Sequence, residues 1–316
     1  MSVELWSQQY PALWLGGLFV LGLLVGSFLN VVGLRLLQEE SFVTPPSHCP
    51  HCKTPLRPWE NIPVLSYLLL GGQCRACKAG ISIQYPLIEI LTALLFAGLG
   101  WQFGATWATL LYLFLAANLV VILITDWRES LIFHVNSWPL IPVGFLMSLL
   151  GLGPADWTSS LLGMAAAFVF FEGLILLSQK LLHTEGFGHG DTHLMMGIGA
   201  YLGWQPMAVA LFLGFGLQAV LAIPMLVWQW MKEGQYKTLG SACAGVVFGL
   251  CPILVRMLPL DAVFQTLLVL LFAGLTLWAL WTFLKQVRHR GTYTYMPLGP
   301  ALVLASLGVL FALPWL

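Results

Sequence analysis

"DTHLMMGIGAYLGW", residues 191–204, is apolar enough to enter a bilayer but short for crossing one. A transmembrane helix needs about 20 residues, so the reading of this stretch decides the topology of everything after it. Longer apolar runs lie near 12–36, 84–101, 105–125, 134–153, 158–182, 206–230, 238–258, 262–284 and 297–315. Those are nine spans; 191–204 is the tenth if it crosses. With that crossing, and the amino terminus outside, Arg35, Lys53, Arg57, Arg75, Lys78, Arg128, Lys180, Lys232, Lys237, Lys285, Arg288 and Arg290 share one side. Only Arg256 falls on the other, as the positive-inside rule requires. Without the crossing, Lys232, Lys237 and the cluster from Lys285 to Arg290 move outside. The stretch is therefore expected to cross, and the basic side is the cytoplasm.

Composition agrees. The chain of 316 residues is 59% hydrophobic and 8% charged, with mean hydropathy +0.87, outside the range of ordinary soluble domains. The expected class is an all-α integral membrane protein in contact with lipid: a polytopic bundle of about nine or ten transmembrane helices with one small cytoplasmic loop. Lys plus Arg and Asp plus Glu are 13 each, and nothing in that balance points to nucleic acid as a partner. "MSVELWSQQY" lacks a basic n-region, and the apolar run after it is too long for a signal peptide, so the first run is expected to stay as a helix.

The loop between the first two spans reads "CPHCKTPLRPWENIPVLSYLLLGGQCRAC". Cys49 and Cys52 are followed, 21 residues later (53–73), by Cys74 and Cys77. Two CxxC pairs supply the four thiolates of a tetrahedral zinc site, with no open coordination position, so the metal would be structural. Two disulfides are the alternative, disfavoured in a reducing cytoplasm. His48 and His51 are read as solvated neighbours, and Cys243 and Cys251 as small packing residues in a span.

Ionisable residues at membrane depth are functional candidates by default; here they are Glu89, Asp126, Glu172 and Asp191. Asp126 closes "LVVILITD", and Asp191 follows the glycine-rich "GFGHGD" at 186–191. Parity of crossings puts both on the cytoplasmic face. Gly188 and Gly190 allow close approach of neighbouring chain beside Asp191. Two neighbouring carboxylates share a proton, so one can activate water while the other protonates a leaving amide, the chemistry of aspartic proteases. The plainer alternatives are Asp191 as a helix N-cap and Asp126 as an interfacial terminus beside Arg128. A partner for Glu172 is expected in a helix of 231–290 or in a buried water.

At these residues the chain resembles the type IV prepilin peptidases, membrane aspartic proteases with a GxGD motif. Gly188, His189, Gly190 and Asp191 fill that motif. "GSFLNVVGLRL" (26–36), the paired CxxC loop, "WENIPVLSYLLL" (59–70), "ISIQYPLIEILTALLF" (81–96), "GDTHLMMGIGAYLGW" (190–204) and "MPLGPALVLA" (296–305) follow in family order. The resemblance implies a multi-pass enzyme of the bacterial inner membrane whose active site faces the cytoplasm. Its implied substrates are type IV prepilins or type II secretion pseudopilins, cut between a glycine and an apolar residue to release a basic leader. Asp126 and Asp191 would be the catalytic pair, and Cys49, Cys52, Cys74 and Cys77 the Zn2+ ligands. Many members also methylate the new amino terminus with S-adenosyl-L-methionine, and this implies cofactor contacts in the cysteine loop at Glu60 and Gly72.

The resemblance divides the chain into a first transmembrane helix (1–37), a cytoplasmic four-cysteine loop (38–83), a catalytic transmembrane domain (84–230), an inserted transmembrane segment (231–295) and a last helix (296–316). The chain departs from the family pattern at Phe133 and His134, where a Pro-Asp pair is usual, and at His193, where a lysine is usual. Gly71, Gly72 and Gln73 replace an Arg-Gly-Lys, removing two cations from the segment tied to methyl transfer. Two other readings remain. His183, His189, Asp191 and His193 are the right types for a metal-dependent hydrolase or transporter, and the same fold could serve as a non-catalytic pilin-assembly factor.

Overall fold

Residues 7–41, 44, 46–182, 188–256, 262–288 and 297–313 are described by a computed structural model. The regular elements among them are helical: α1 (Pro11–Leu37), a 3-10 turn (Pro58–Asn61), α2 (Leu65–Leu69), α3 (Gln84–Phe103), α4 (Trp107–Glu129), α5 (His134–Ser137), α6 (Leu140–Leu149), α7 (Trp157–Leu182), α8 (His189–Leu202), α9 (Trp204–Lys232), α10 (Tyr236–Arg256), α11 (Ala262–Arg288) and α12 (Gly299–Ala312). Five of them, α1, α3, α4, α7 and α9, are long and apolar enough among the described residues to cross a bilayer.

Local chemistry sets the ends. Pro11 starts α1, where its missing N–H costs nothing. Thr106 caps α4 by accepting from the Thr109 N–H. The run 134–153 is not the continuous span expected from its hydropathy. It breaks at Trp138 and Pro139 into α5 and α6, of 4 and 10 residues. Trp138 and Pro139 keep helical backbone angles, but proline has no N–H to give, so the hydrogen-bond ladder is interrupted there.

The chain forms two compact units. The first comprises residues 1–172, 188–216 and 297–316. In it α1 lies against α3 so closely that a Cβ on Gly22 would sit 2.5 Å from Ala93 Cα. Its core is built on α4, where Leu119, Val120 and Ile122 are fully buried. Around α4 pack α1, α3, α6 and α12. The second unit, 173–187 and 217–296, contains the α10–α11 pair, with Phe248 and Phe272 rings 6.5 Å apart.

Helix α8 accounts for the brevity of 191–204. Its 14 residues rise only about 21 Å, but protein surrounds most of it: Leu194, Met195, Ile198, Ala200 and Tyr201 are inaccessible or nearly so. Its backbone meets that of α7 at two glycines. A Cβ on Gly199 would stand 2.6 Å from the Gly163 carbonyl carbon, and the Ser160 hydroxyl donates to the Ala200 carbonyl at 2.9 Å. Small residues at such crossings are how helices pack where lipid offers no hydrophobic drive.

Candidate active site

Asp126 lies in the last turn of α4 and Asp191 in the first turn of α8; both are buried, 4% and 7% exposed. They are near enough for the charge of Asp126 to bear on Asp191. Three segments build the pocket around them. The α4 helix ends on Ser130, whose left-handed backbone (φ 53°) lets its N–H bond the Asp126 carbonyl at 2.9 Å. Beyond it, Ile132 fills the space beside Gly190, where a Cβ would come within 2.6 Å of the isoleucine Cβ. The third segment is the start of α12. A Cβ on Gly299 would lie 2.5 Å from Asp126 Oδ2 and 3.2 Å from Ile132 Cδ1. The Gly299 N–H faces the Asp126 carboxyl, at a helix end that favours negative charge. Gly188 plays the matching part at Asp191: its N–H faces the carboxyl, and its carbonyl accepts from the Asp191 N–H at 3.1 Å.

No cation neutralises the pair among the described residues. Arg128, the nearest basic residue in sequence to Asp126, donates from Nε and Nη2 to Gln84 Oε1 at 3.0 and 2.7 Å. The reading of Asp126 as a terminus beside Arg128 therefore has no contact behind it. Asp126 Oδ2 is buried without a hydrogen-bond partner, leaving it as an acceptor aimed into the site.

The other two membrane-depth acids have specific partners. Glu89 Oε2 accepts from the Val64 N–H at 2.7 Å, which docks the cysteine loop onto α3. Glu172, on α7, accepts from the Thr192 hydroxyl at 3.3 Å and lies 3.0 Å from His189 Nδ1. Its partners are thus in α8, not in the 231–290 segment as expected. His134 and His193, two departures from the family pattern, meet with ring centroids 5.0 Å apart, and Trp138 stands 5.4 Å from His193. The histidines and Asp191 form no metal cluster among the described residues, and His183 lies outside them. Sequence reasoning gave no role to Ile132, Trp138 or Gly299, although Gly299 lies in the motif at 296–305; the fold sets Gly299 against Asp126, Ile132 against Gly190 and Trp138 against His193.

The cysteine loop closes into a second centre. The four Sγ atoms of Cys49, Cys52, Cys74 and Cys77 lie within 4.8 Å of one another. Sulfur separations of 3.8 Å (Cys49–Cys77) and 3.9 Å (Cys52–Cys74) exclude disulfides in this structure. They match the edge of a thiolate tetrahedron, about 3.8 Å for zinc–sulfur bonds near 2.3 Å, so the cluster fits a metal such as zinc. Two equivalent turns present the ligands. Cys49 and Cys74 each accept through their carbonyl from the lysine four residues on, Lys53 at 2.9 Å and Lys78 at 3.0 Å. Both lysines have positive φ, 57° and 60°. The repeated C-x-x-C-K was the available signal for this duplication.

Electrostatics in the loop also suit a cation. Thr54, through its hydroxyl and its N–H, brings the Cys52 thiol down to about 6. Cys77 is lowered by the Ala79 N–H but raised more by desolvation and the neighbouring thiols, to about 11. Four thiolates at this spacing need a positive charge among them. Glu60 is held below the usual carboxylate range, first by the Arg57 N–H at 2.9 Å and then by Arg75. Both its oxygens are engaged, Oε2 by Arg57 and Oε1 by Arg75. Gly72 (φ 67°) has Tyr67 against it, and a Cβ added there would lie 3.1 Å from the tyrosine ring. Cys243 is exposed and not packed as expected.

Comparison with known proteins matches the sequence to one group. The family model described as the Bacterial Peptidase A24 N-terminal domain matches residues 20–103, and that of the Type IV leader peptidase family matches 113–223. A prepilin leader peptidase/N-methyltransferase of Neisseria gonorrhoeae is 38% identical over 247 residues, covering 71% of this chain and 85% of the relative. Proteins of the same description from Pseudomonas aeruginosa (36% over 230 residues, 66% and 79%) and Pectobacterium carotovorum (34% over 274 residues, 77% and 95%) are similar to it. No solved structure matches the chain. On two matched domains and relatives of this extent, the chain belongs to the type IV leader peptidase family and is a peptidase by class.

Proposed function

We propose that the chain is a membrane-embedded aspartic endopeptidase that removes the basic leader from type IV prepilins or type II secretion pseudopilins. The observation that carries this reading is the convergence of two buried carboxylates, Asp126 and Asp191, with backbone N–H groups and no cation around them among the described residues. One ionised aspartate takes a proton from a water as it attacks the scissile carbonyl. The other, protonated, gives its proton to the departing amide nitrogen. Positive-inside charge supports ten crossings and a site on the cytoplasmic face, and the likeness to prepilin leader peptidases supports placement in the bacterial inner membrane. The four cysteines hold a structural zinc that folds the loop. The test is leader cleavage of a co-expressed prepilin by the wild-type chain and by Asp126→Asn and Asp191→Asn.

Gly299→Ala provides an independent measure of the site. The added methyl would lie 2.5 Å from Asp126 Oδ2 and 2.9 Å from its Cγ, so the carboxyl must turn away. Leader cleavage is expected to fall by about 100-fold per folded molecule, the scale for displacing a reacting group by an ångström. Cleavage at the wild-type rate would place the reacting oxygens elsewhere.

Methyl transfer is proposed to be weak or absent. Gln73 stands where the family has a cation, and Arg57 and Arg75 occupy the Glu60 carboxylate. The mass of the processed pilin amino terminus decides this: a free amine is expected, and stoichiometric methylation overturns it.

A further inference from the structure

Between Gly188 and Thr192 the chain must hold Asp191 in register with a partner on another helix, yet Gly188 gives no side-chain cap to α8. The first turn of α8 is instead gripped from outside on two faces. On one, Glu172 of α7 engages both His189, at 3.0 Å from Nδ1, and the Thr192 hydroxyl, at 3.3 Å, through the single oxygen Oε1. Two acceptors at 3.0 Å would repel, so Nδ1 carries the proton and donates. On another face Ile132 fits against Gly190. At about 100° per residue, His189 and Thr192 project within about 60° of each other, and both Gly190 and Asp191 lie about 130° from that pair. Rotation of the turn is thereby blocked, while the Asp191 carboxyl stays free of the clamp. A carboxylate beside the N-terminal turn also suits the positive end of the helix.

We propose that Glu172 is a positioning residue for catalysis: by bonding His189 and Thr192 it fixes the rotation of the first turn of α8 and so aims Asp191 at Asp126. This inference rests on the peptidase reading above. Glu172 touches neither reacting carboxyl, and its effect is to restrain the turn so that the pair is aligned more often.

The experiment measures kcat and KM for leader cleavage with full-length protein in detergent or lipid vesicles, corrected for the folded fraction. Glu172→Ala is expected to lower kcat between about tenfold and 100-fold, with KM within about twofold. Glu172→Gln keeps an acceptor oxygen and is expected to recover kcat to within about threefold of wild type. His189→Ala combined with Thr192→Val is expected to lower kcat alone, and adding Glu172→Ala to them should change little, because coupled residues are not additive. Should Glu172→Ala fail to accumulate, Glu172→Gln against the His189→Ala, Thr192→Val pair tests the same contact. Wild-type kcat in Glu172→Ala, a loss shared equally by Glu172→Gln, or full additivity would overturn the proposal while leaving the peptidase reading intact. A wild-type chain that leaves the prepilin uncut would overturn both.

Discussion

Asparagine at either 126 or 191 is expected to reduce prepilin leader cleavage by at least about 10⁴-fold, the scale seen when one member of a catalytic unit is removed. The amide is nearly isosteric with the carboxyl, so the buried packing beside Gly299 and Gly188 survives. What is lost is the ability to accept and return a proton. The double variant should be no worse than either single one, since half a pair does no more than none. Amounts of folded protein in the membrane serve as the control, and the mass of the pilin reports cleavage. Wild-type processing by either single variant would remove that aspartate from the mechanism.

Loss of the metal is expected to have the second large effect, confined at first to the loop. Purified protein should carry about one zinc per chain, and Cys74→Ser should carry almost none. Structural zinc contributes on the order of 10 kcal/mol to folding small sites of this kind, and few apolar side chains of the loop are buried to replace it. Residues 46–82 should then become sensitive to trypsin at Lys53, Arg75 and Lys78. Peptidase activity should decline with loop unfolding. Activity that disappears on chelation while the loop stays protease-resistant would favour a metal in the reaction itself.

Features that depend on local chemistry are legible in the sequence. Two CxxC pairs predict a four-sulfur centre from spacing alone, and the four sulfurs gather within 4.8 Å, two of their separations being those of a tetrahedron's edges. Counting charge across crossings puts Asp126 and Asp191 on one face, and the structure brings their side chains within electrostatic reach. Hydropathy fails where it ignores the backbone: residues 134–153 are as apolar as a span, yet Pro139 divides them. The neighbourhood of Glu172 is misread because its partners are 17 and 20 residues away on another helix, a pairing that no helical period encodes. Gly299 lies in the motif at 296–305, but nothing in that stretch shows that it stands against Asp126. Its significance is a distance to Asp126, and distance across 173 residues (299 − 126) belongs to the fold.

That separation also orders events during synthesis. Asp126 and Asp191 leave the ribosome well before Gly299, so a growing polypeptide holds both acids while one wall of their chamber is still unmade. A protease assembled in this sequence would complete its catalytic chamber only with its last helix.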